Sequence, residues 1–288
     1  ILPAMLLAIA GAALAAAVLA PDALPLLRKD AMASVLFVTN WHFILQQLSY
    51  FEYIGRQPLL QHLWSLAIEE QFYLVAPWVA RMLPPARLPW FAGGMALVAL
   101  LLRLGIIAWF PGGHFAAHVL MPTRMDGLAL GLLAAWAVRR EEARPALKRL
   151  AAAWRQILTI GLLGLAALTL LRPESGGVTL CIWGYSFLSV FFAGLVLIVY
   201  SVQPPILCRV LTWGPLTHLG RCSYFIYLWH AILGVAVIRW LGGSPFRLES
   251  VPGFAVVAAG VAATWLAAAI SWRFLEGPLV AWGHRRTY

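Results

Sequence analysis

Charge is what this sequence lacks most. Of its 288 residues only 11% are charged, less than half the roughly 25% of an ordinary soluble domain. That scarcity excludes a solvated enzyme surface and a disordered tail. Acidic residues are the rarer sign, 11 against 21 Lys plus Arg. Cysteine occurs only at Cys181, Cys208 and Cys222, without CxxC spacing, so neither a disulfide framework nor a zinc site is indicated. Beside apolar runs, these thiols read as small hydrophobes. No basic stretch precedes the opening run Ile1 to Ala20, which therefore reads as a span and not as a signal peptide.

What is abundant is hydrocarbon: 62% hydrophobic residues and a mean hydropathy of +0.83. A spanning helix needs about 20 mostly apolar residues. Such runs are expected at 1–20, 66–83, 88–110, 122–138, 156–172, 179–201, 216–241 and 254–276. The fold class is then an all-α polytopic membrane protein, with eight spans in one domain, 1–288. The stretch 31–48 is interrupted by Asn40, Trp41, His42, Gln46 and Gln47. It reads as re-entrant or interfacial, because buried irregular segments tolerate amides that lipid does not. A net charge of +10 invites a nucleic-acid reading, but that requires a basic face on a soluble domain. Here the cations flank apolar runs, as the positive-inside bias predicts. Arg139, Arg140, Arg144, Lys148, Arg149 and Arg155 mark a cytoplasmic loop, so the partner is a bilayer and no nucleic acid is expected.

Ionisable residues inside spans are costly and point to function. Four clusters stand out. Trp64-Ser65-Leu66-Ala67-Ile68-Glu69-Glu70-Gln71-Phe72-Tyr73-Leu74 opens a span with two carboxylates. Ser65 as a cap and acids near the positive helix end would explain one carboxylate, but two beside His62 and Tyr73 suggest chemistry. Next come His114 and His118, then Arg124 and Asp126. Two histidines four apart are too few ligands for a metal site, and residues two apart on a helix need not pair. Arg124 suits either a snorkelling interface residue or a cavity. Third, Ser223, Tyr227 and His230 form one stripe at helical pitch, with Tyr227 in reach of the imidazole. Fourth, Arg273 and Glu276 are an i,i+3 pair before a helix-ending Gly277-Pro278, or else Arg273 faces a phosphate-bearing ligand.

In this order, these clusters resemble the bacterial acyltransferase-3 family of integral-membrane O-acyltransferases across essentially the whole chain. Trp64 to Leu74 is similar to its W-S-L-x-x-E-E-Q-F-Y-L motif, and Arg124 to Leu128 with Gly131 to its R-x-D-x-L-x-x-G element. Ser223-Tyr224 with Tyr227 to His230 resembles S-Y…Y-L-x-H, and Arg273 to Pro278 resembles R-x-x-E-x-P. The resemblance implies ten spans at the bacterial inner membrane, eight of them here, with Ile1-Leu2-Pro3 like the end of a basic stretch that follows the second span. The family's first-span histidine has no counterpart in this chain.

The implied reaction moves an acyl group, most simply acetyl, from cytoplasmic acyl-CoA to a hydroxyl of an exported glycan or lipid-linked saccharide. No bound cofactor and no metal are expected; acetyl-CoA is a co-substrate. Glu69, Glu70 and His230 are the catalytic candidates. Trp64, Ser65, Tyr73, Arg124, Asp126, Tyr227, Arg273 and Glu276 are the binding candidates. Two rivals remain, a secondary transporter, against which the lack of matched broken repeats speaks, and a non-catalytic scaffold or glycan-export partner.

Overall fold

The computed structural model describes residues 2–19, 21–46, 59–170, 179–241 and 251–284. Every regular element among them is helical, the form that satisfies backbone polar groups within a single segment in lipid. In chain order these are α1 (Leu2–Leu19), α2 (Leu24–Val35), α3 (Thr39–Leu45), α4 (Trp64–Met82), α5 (Leu88–Trp109), α6 (His114–Val119), α7 (Met121–Ala137) and α8 (Arg144–Ala152). Then follow α9 (Trp154–Leu170), α10 (Tyr185–Ser201), α11 (Pro205–Leu211), α12 (Gly214–Arg221), α13 (Ser223–Leu241), α14 (Val251–Ser271) and α15 (Gly277–His284). Proline in the first turn starts α2, α5, α7, α8 and α12, where its missing N–H costs nothing.

Four helical segments are long and apolar enough to cross a bilayer: Leu2–Leu19, Pro85–Trp109, Leu180–Ser201 and Gly253–Trp282. Two bent pairs, at 68° between α8 and α9 and 75° between α12 and α13, raise this to six. The protein is thus a multi-pass membrane protein with four to six candidate spans, and the expectation of eight is not reproduced. The shortfall has physical causes. Helix α4 carries Glu69, Glu70 and Arg81, and α7 has only 17 residues, with Arg124 and Asp126 inside it. The stretch 31–46 is no continuous span either: α2 ends at Val35, and Phe37 takes a left-handed φ of 53°. Residues 47 and 48 lie outside the described residues.

The chain divides into two compact units. One contains α1, α2, the turn Gln61–Leu63 and α12 to α15. Its α1 packs on α13 through Gly11, where any side chain would collide with the Trp229 ring. The other contains α3 to α10. There α5 lies along α7 and α7 along α10, while Gly161 and Gly164 of α9 leave room for the stacked rings of Phe191 and Phe187 on α10. Small residues let membrane helices approach closely, and dispersion then holds them.

Candidate active site

In the α3–α10 unit, apolar packing comes first. Phe43 of α3 closes against Phe115 and Val119 of α6, and Ile44 and Trp64 pack on that cluster. Asn40, fully buried, exchanges hydrogen bonds with Gln71 of α4 (3.4 and 3.1 Å), and Gln71 Nε2 also donates to the Phe37 carbonyl at 2.8 Å. Of the amides that interrupt the 31–48 stretch, Asn40 therefore fastens α3 to the Glu-Glu-Gln helix.

This packing brings α6 to the start of α4. The His118 ring stands 4.6 Å from Trp64, centroid to centroid. His118 Nδ1 and the Tyr185 hydroxyl share a 2.5 Å hydrogen bond. Over the same tyrosine ring, at 3.8 Å, lies the Arg124 guanidinium, a contact worth about 2 kcal/mol when desolvated. Arg124 Nη1 is buried with no hydrogen-bond partner among the described residues, and such an unmet donor is rare enough to require a reason. Burial, and then the Arg124 cation, hold His118 down to about 4. At neutral pH its imidazole is uncharged, as a proton acceptor must be.

A second centre lies around Arg103, whose own Nε is buried without a hydrogen-bond partner among the described residues. Arg103, midway along α5, is 0% exposed. It donates to Asp126 Oδ2 at 2.8 Å, to Ser186 Oγ at 2.5 Å and to the Thr123 carbonyl. Ser186 also donates to Asp126 Oδ2 at 2.9 Å, and Asp126 Oδ1 accepts from the Gly127 backbone N–H at 3.0 Å. Asp126, read from sequence as a binding residue, is thus buried and fully engaged by protein groups. The arginine and aspartate of the R-x-D element face different partners, so Arg124 keeps its donor. Arg103 was missed by the sequence reading, although a lone cation inside the apolar run 98–107 was the available signal.

The other residues of the Glu-Glu motif are spread around α4. Glu70 Oε1 is buried without a hydrogen-bond partner in the structure, whereas Glu69 is exposed and Tyr73 is 50% exposed. Ser65 does not cap: α4 already begins at Trp64, which puts Ser65 inside the first turn.

In the other unit, the Tyr227 hydroxyl donates to the His62 carbonyl at 2.8 Å, and its ring lies 6.5 Å from that of His230, centroid to centroid. His230 uses Nδ1 toward the Tyr227 carbonyl at 2.8 Å. A carbonyl only accepts, so Nδ1 is the donor in this contact. The rings of His62 and His230 meet edge to face at 4.9 Å, and burial followed by His230 lowers His62 to about 4. Arg273 and Glu276 form no ion pair. They lie in a π-helical turn, Trp272–Glu276, whose wider winding removes i,i+3 register, and Arg273 instead sits 5.5 Å from the Phe274 ring. Nor does Gly277-Pro278 end the helix, since α15 continues to His284.

A family model described as an acyltransferase domain matches residues 5–272. The chain is similar to the O-acetyltransferase OatA of Staphylococcus aureus, 31% identical over 268 residues, covering 90% of this chain and 42% of that protein. It is also similar to the peptidoglycan O-acetyltransferase OatA of Listeria monocytogenes, 30% identical over 269 residues, covering 90% and 41%. The chain therefore spans less than half the length of these curated relatives. No solved structure matches it.

Proposed function

Because the chain belongs to the acyltransferase-3 family, we propose that it is a membrane-bound O-acyltransferase of the bacterial inner membrane. It moves an acyl group, acetyl in the simplest case, from a cytoplasmic acyl-CoA to a hydroxyl of an exported or cell-wall glycan. In this reaction the hydroxyl oxygen attacks the thioester carbonyl. A C–O bond forms, the C–S bond breaks, the hydroxyl proton passes to a base and the CoA thiolate leaves to be protonated. The chemistry needs a neutral base, a donor for the developing oxyanion and a site poor in water.

One observation carries the reading: Arg124 presents an unmet buried donor on the ring of the tyrosine that bonds a neutral histidine, His118. Arg124 stabilises negative charge on the acyl carbonyl, and the His118–Tyr185 pair handles the acceptor proton. Glu70 and Glu69 orient the base and the acceptor, and Trp64 with Tyr73 offers aromatic faces to a sugar. Ser65 and Asp126 are positioning residues in this scheme. In the other unit, Tyr227, His230, Arg273 and Glu276 belong to the donor's path, Arg273 facing CoA phosphates.

The test uses purified protein in nanodiscs with radiolabelled acetyl-CoA and a glycan acceptor. Wild type transfers label to the glycan. Arg124→Gln and Glu70→Gln each lower the rate by about two orders of magnitude, the size of a lost oxyanion donor or a displaced base. Folded wild-type protein that leaves the glycan unlabelled, or a fully active Arg124→Gln variant, refutes the assignment.

A further inference from the structure

Helices α7 and α10 flank a groove of about 620 Å³ that is lined almost wholly by hydrocarbon. Arg124 and Tyr185 stand at one end, Val138 and Tyr200 at the other. Arg124 to Val138 spans about 21 Å of helix, roughly two-thirds of the depth of a bilayer's hydrocarbon core. The groove exists because α7 presents small residues along this face. Gly131 and Ala135 are exposed within it, and a Cβ at Gly131 would meet nothing within 4 Å. Among the residues past Ser189, the walls are Phe192, Ala193, Val196 and Leu197 before Tyr200 closes the row.

From this geometry we infer that the groove holds the polyprenyl tail of a lipid-linked saccharide, with its phosphate at Arg124 and its sugar beside His118 and Tyr185. The inference rests on the acyltransferase reading and names its acceptor. Three parts of the ligand meet three parts of the site. The apolar walls hold hydrocarbon by close packing and shape, as one membrane helix holds another. The Arg124 guanidinium carries five N–H donors, so one takes a phosphate oxygen while another faces the acyl carbonyl, and a sugar hydroxyl reaches the pair already assigned to proton transfer. Other participants fit less well. A pantetheine arm brings amides to walls that offer hydrogen-bonding side chains only at Arg124, Tyr185, Ser189 and Tyr200, and a free glycan polymer brings nothing to fill an apolar groove.

The experiment has a binding arm and a transfer arm. Delipidated protein is titrated with a polyprenyl monophosphate and, separately, with phosphatidylglycerol, and read by native mass spectrometry. Wild type binds the polyprenyl phosphate at least tenfold more tightly than phosphatidylglycerol. Gly131→Leu, or Ala135→Leu if the first variant does not fold, removes that advantage by filling the groove. In the transfer arm, wild type shows a KM at least tenfold lower for a lipid-linked saccharide than for the same saccharide without its lipid. Either groove variant brings the two KM values together. Equal binding of both lipids, or equal KM values in wild type, overturns the inference while leaving acyl transfer intact. Selective polyprenyl phosphate binding without any acyl transfer sustains the groove's ligand and refutes the acyltransferase reading instead.

Discussion

Replacing Arg103 with methionine would leave Asp126 buried, carrying a charge whose cation has gone. The structure sets the size of the effect. Both side chains are essentially inaccessible (0% and 3%), the ion-pair contact is 2.8 Å, and the same guanidinium serves Ser186 and the Thr123 carbonyl. Solvent screening offers no relief at such burial, so breaking the pair from one side costs about 3–5 kcal/mol. At 1.4 kcal/mol per decade, the folded-to-unfolded ratio falls by about two to three and a half orders of magnitude. Arg103→Met combined with Asp126→Leu removes both charges. Replacing a whole buried pair by hydrocarbon is near neutral, so the double variant is expected to recover most of the loss, with a coupling of at least about 2 kcal/mol. Denaturant unfolding in detergent micelles, followed by tryptophan fluorescence, measures both. An Arg103→Met protein within about 0.5 kcal/mol of wild type, or a double variant as unstable as the sum of its parts, would show that no such charge is held there.

Other perturbations separate the remaining contributions. Tyr185→Phe keeps the ring under Arg124 but removes the hydroxyl bonded to His118. It should cost about 1 kcal/mol of stability and, on the proposed mechanism, at least tenfold in acyl transfer; unchanged transfer would remove the hydroxyl from the chemistry. Stability also has a predicted acid limit. His62 and His118 both titrate near 4 when folded, below the ordinary 6.5, so the unfolded chain binds more protons between these values. Their contribution is complete above pH 6.5 and is lost as pH falls toward 4, by up to about 1.4 kcal/mol per pH unit for each histidine. Melting temperatures from pH 8 to 4 should show this decline, and it should flatten when both become glutamine; an unaltered acid slope would contradict it. Gly161→Ala would drive a methyl group into the Phe191 ring. About 1–3 kcal/mol of destabilisation is expected, and a variant as stable as wild type would mean that α9 and α10 separate freely.

Several motif residues behave as their spacing predicts, and others show why spacing is insufficient. The two-residue offset of Arg124 and Asp126 does send them to different partners. What the offset could not reveal is Arg103, twenty or more positions upstream, which takes the carboxylate. His114 and His118 looked like half a metal site by spacing; in three dimensions His118 is bonded to Tyr185, 67 positions away. The Arg273–Glu276 pairing assumed α-helical register, and a single π turn removes it. Tyr227 was placed one turn from His230, but its hydroxyl turns to the His62 carbonyl instead.

Residue order alone makes this chain a helical membrane protein, sets its cations between apolar runs, and gives the Glu-Glu-Gln-Phe-Tyr helix the motif by which the family is recognised. Those properties are local: composition, run length and contiguous residue order express them before any two helices touch. Only the tertiary structure decided which polar groups are satisfied and which are left for a ligand. That outcome depends on long-range pairing. Arg103 claims Asp126, Gln71 claims Asn40, Tyr185 joins His118 to Arg124, and small residues on α7 leave a groove beside Arg124, whose buried Nη1 has no hydrogen-bond partner among the described residues.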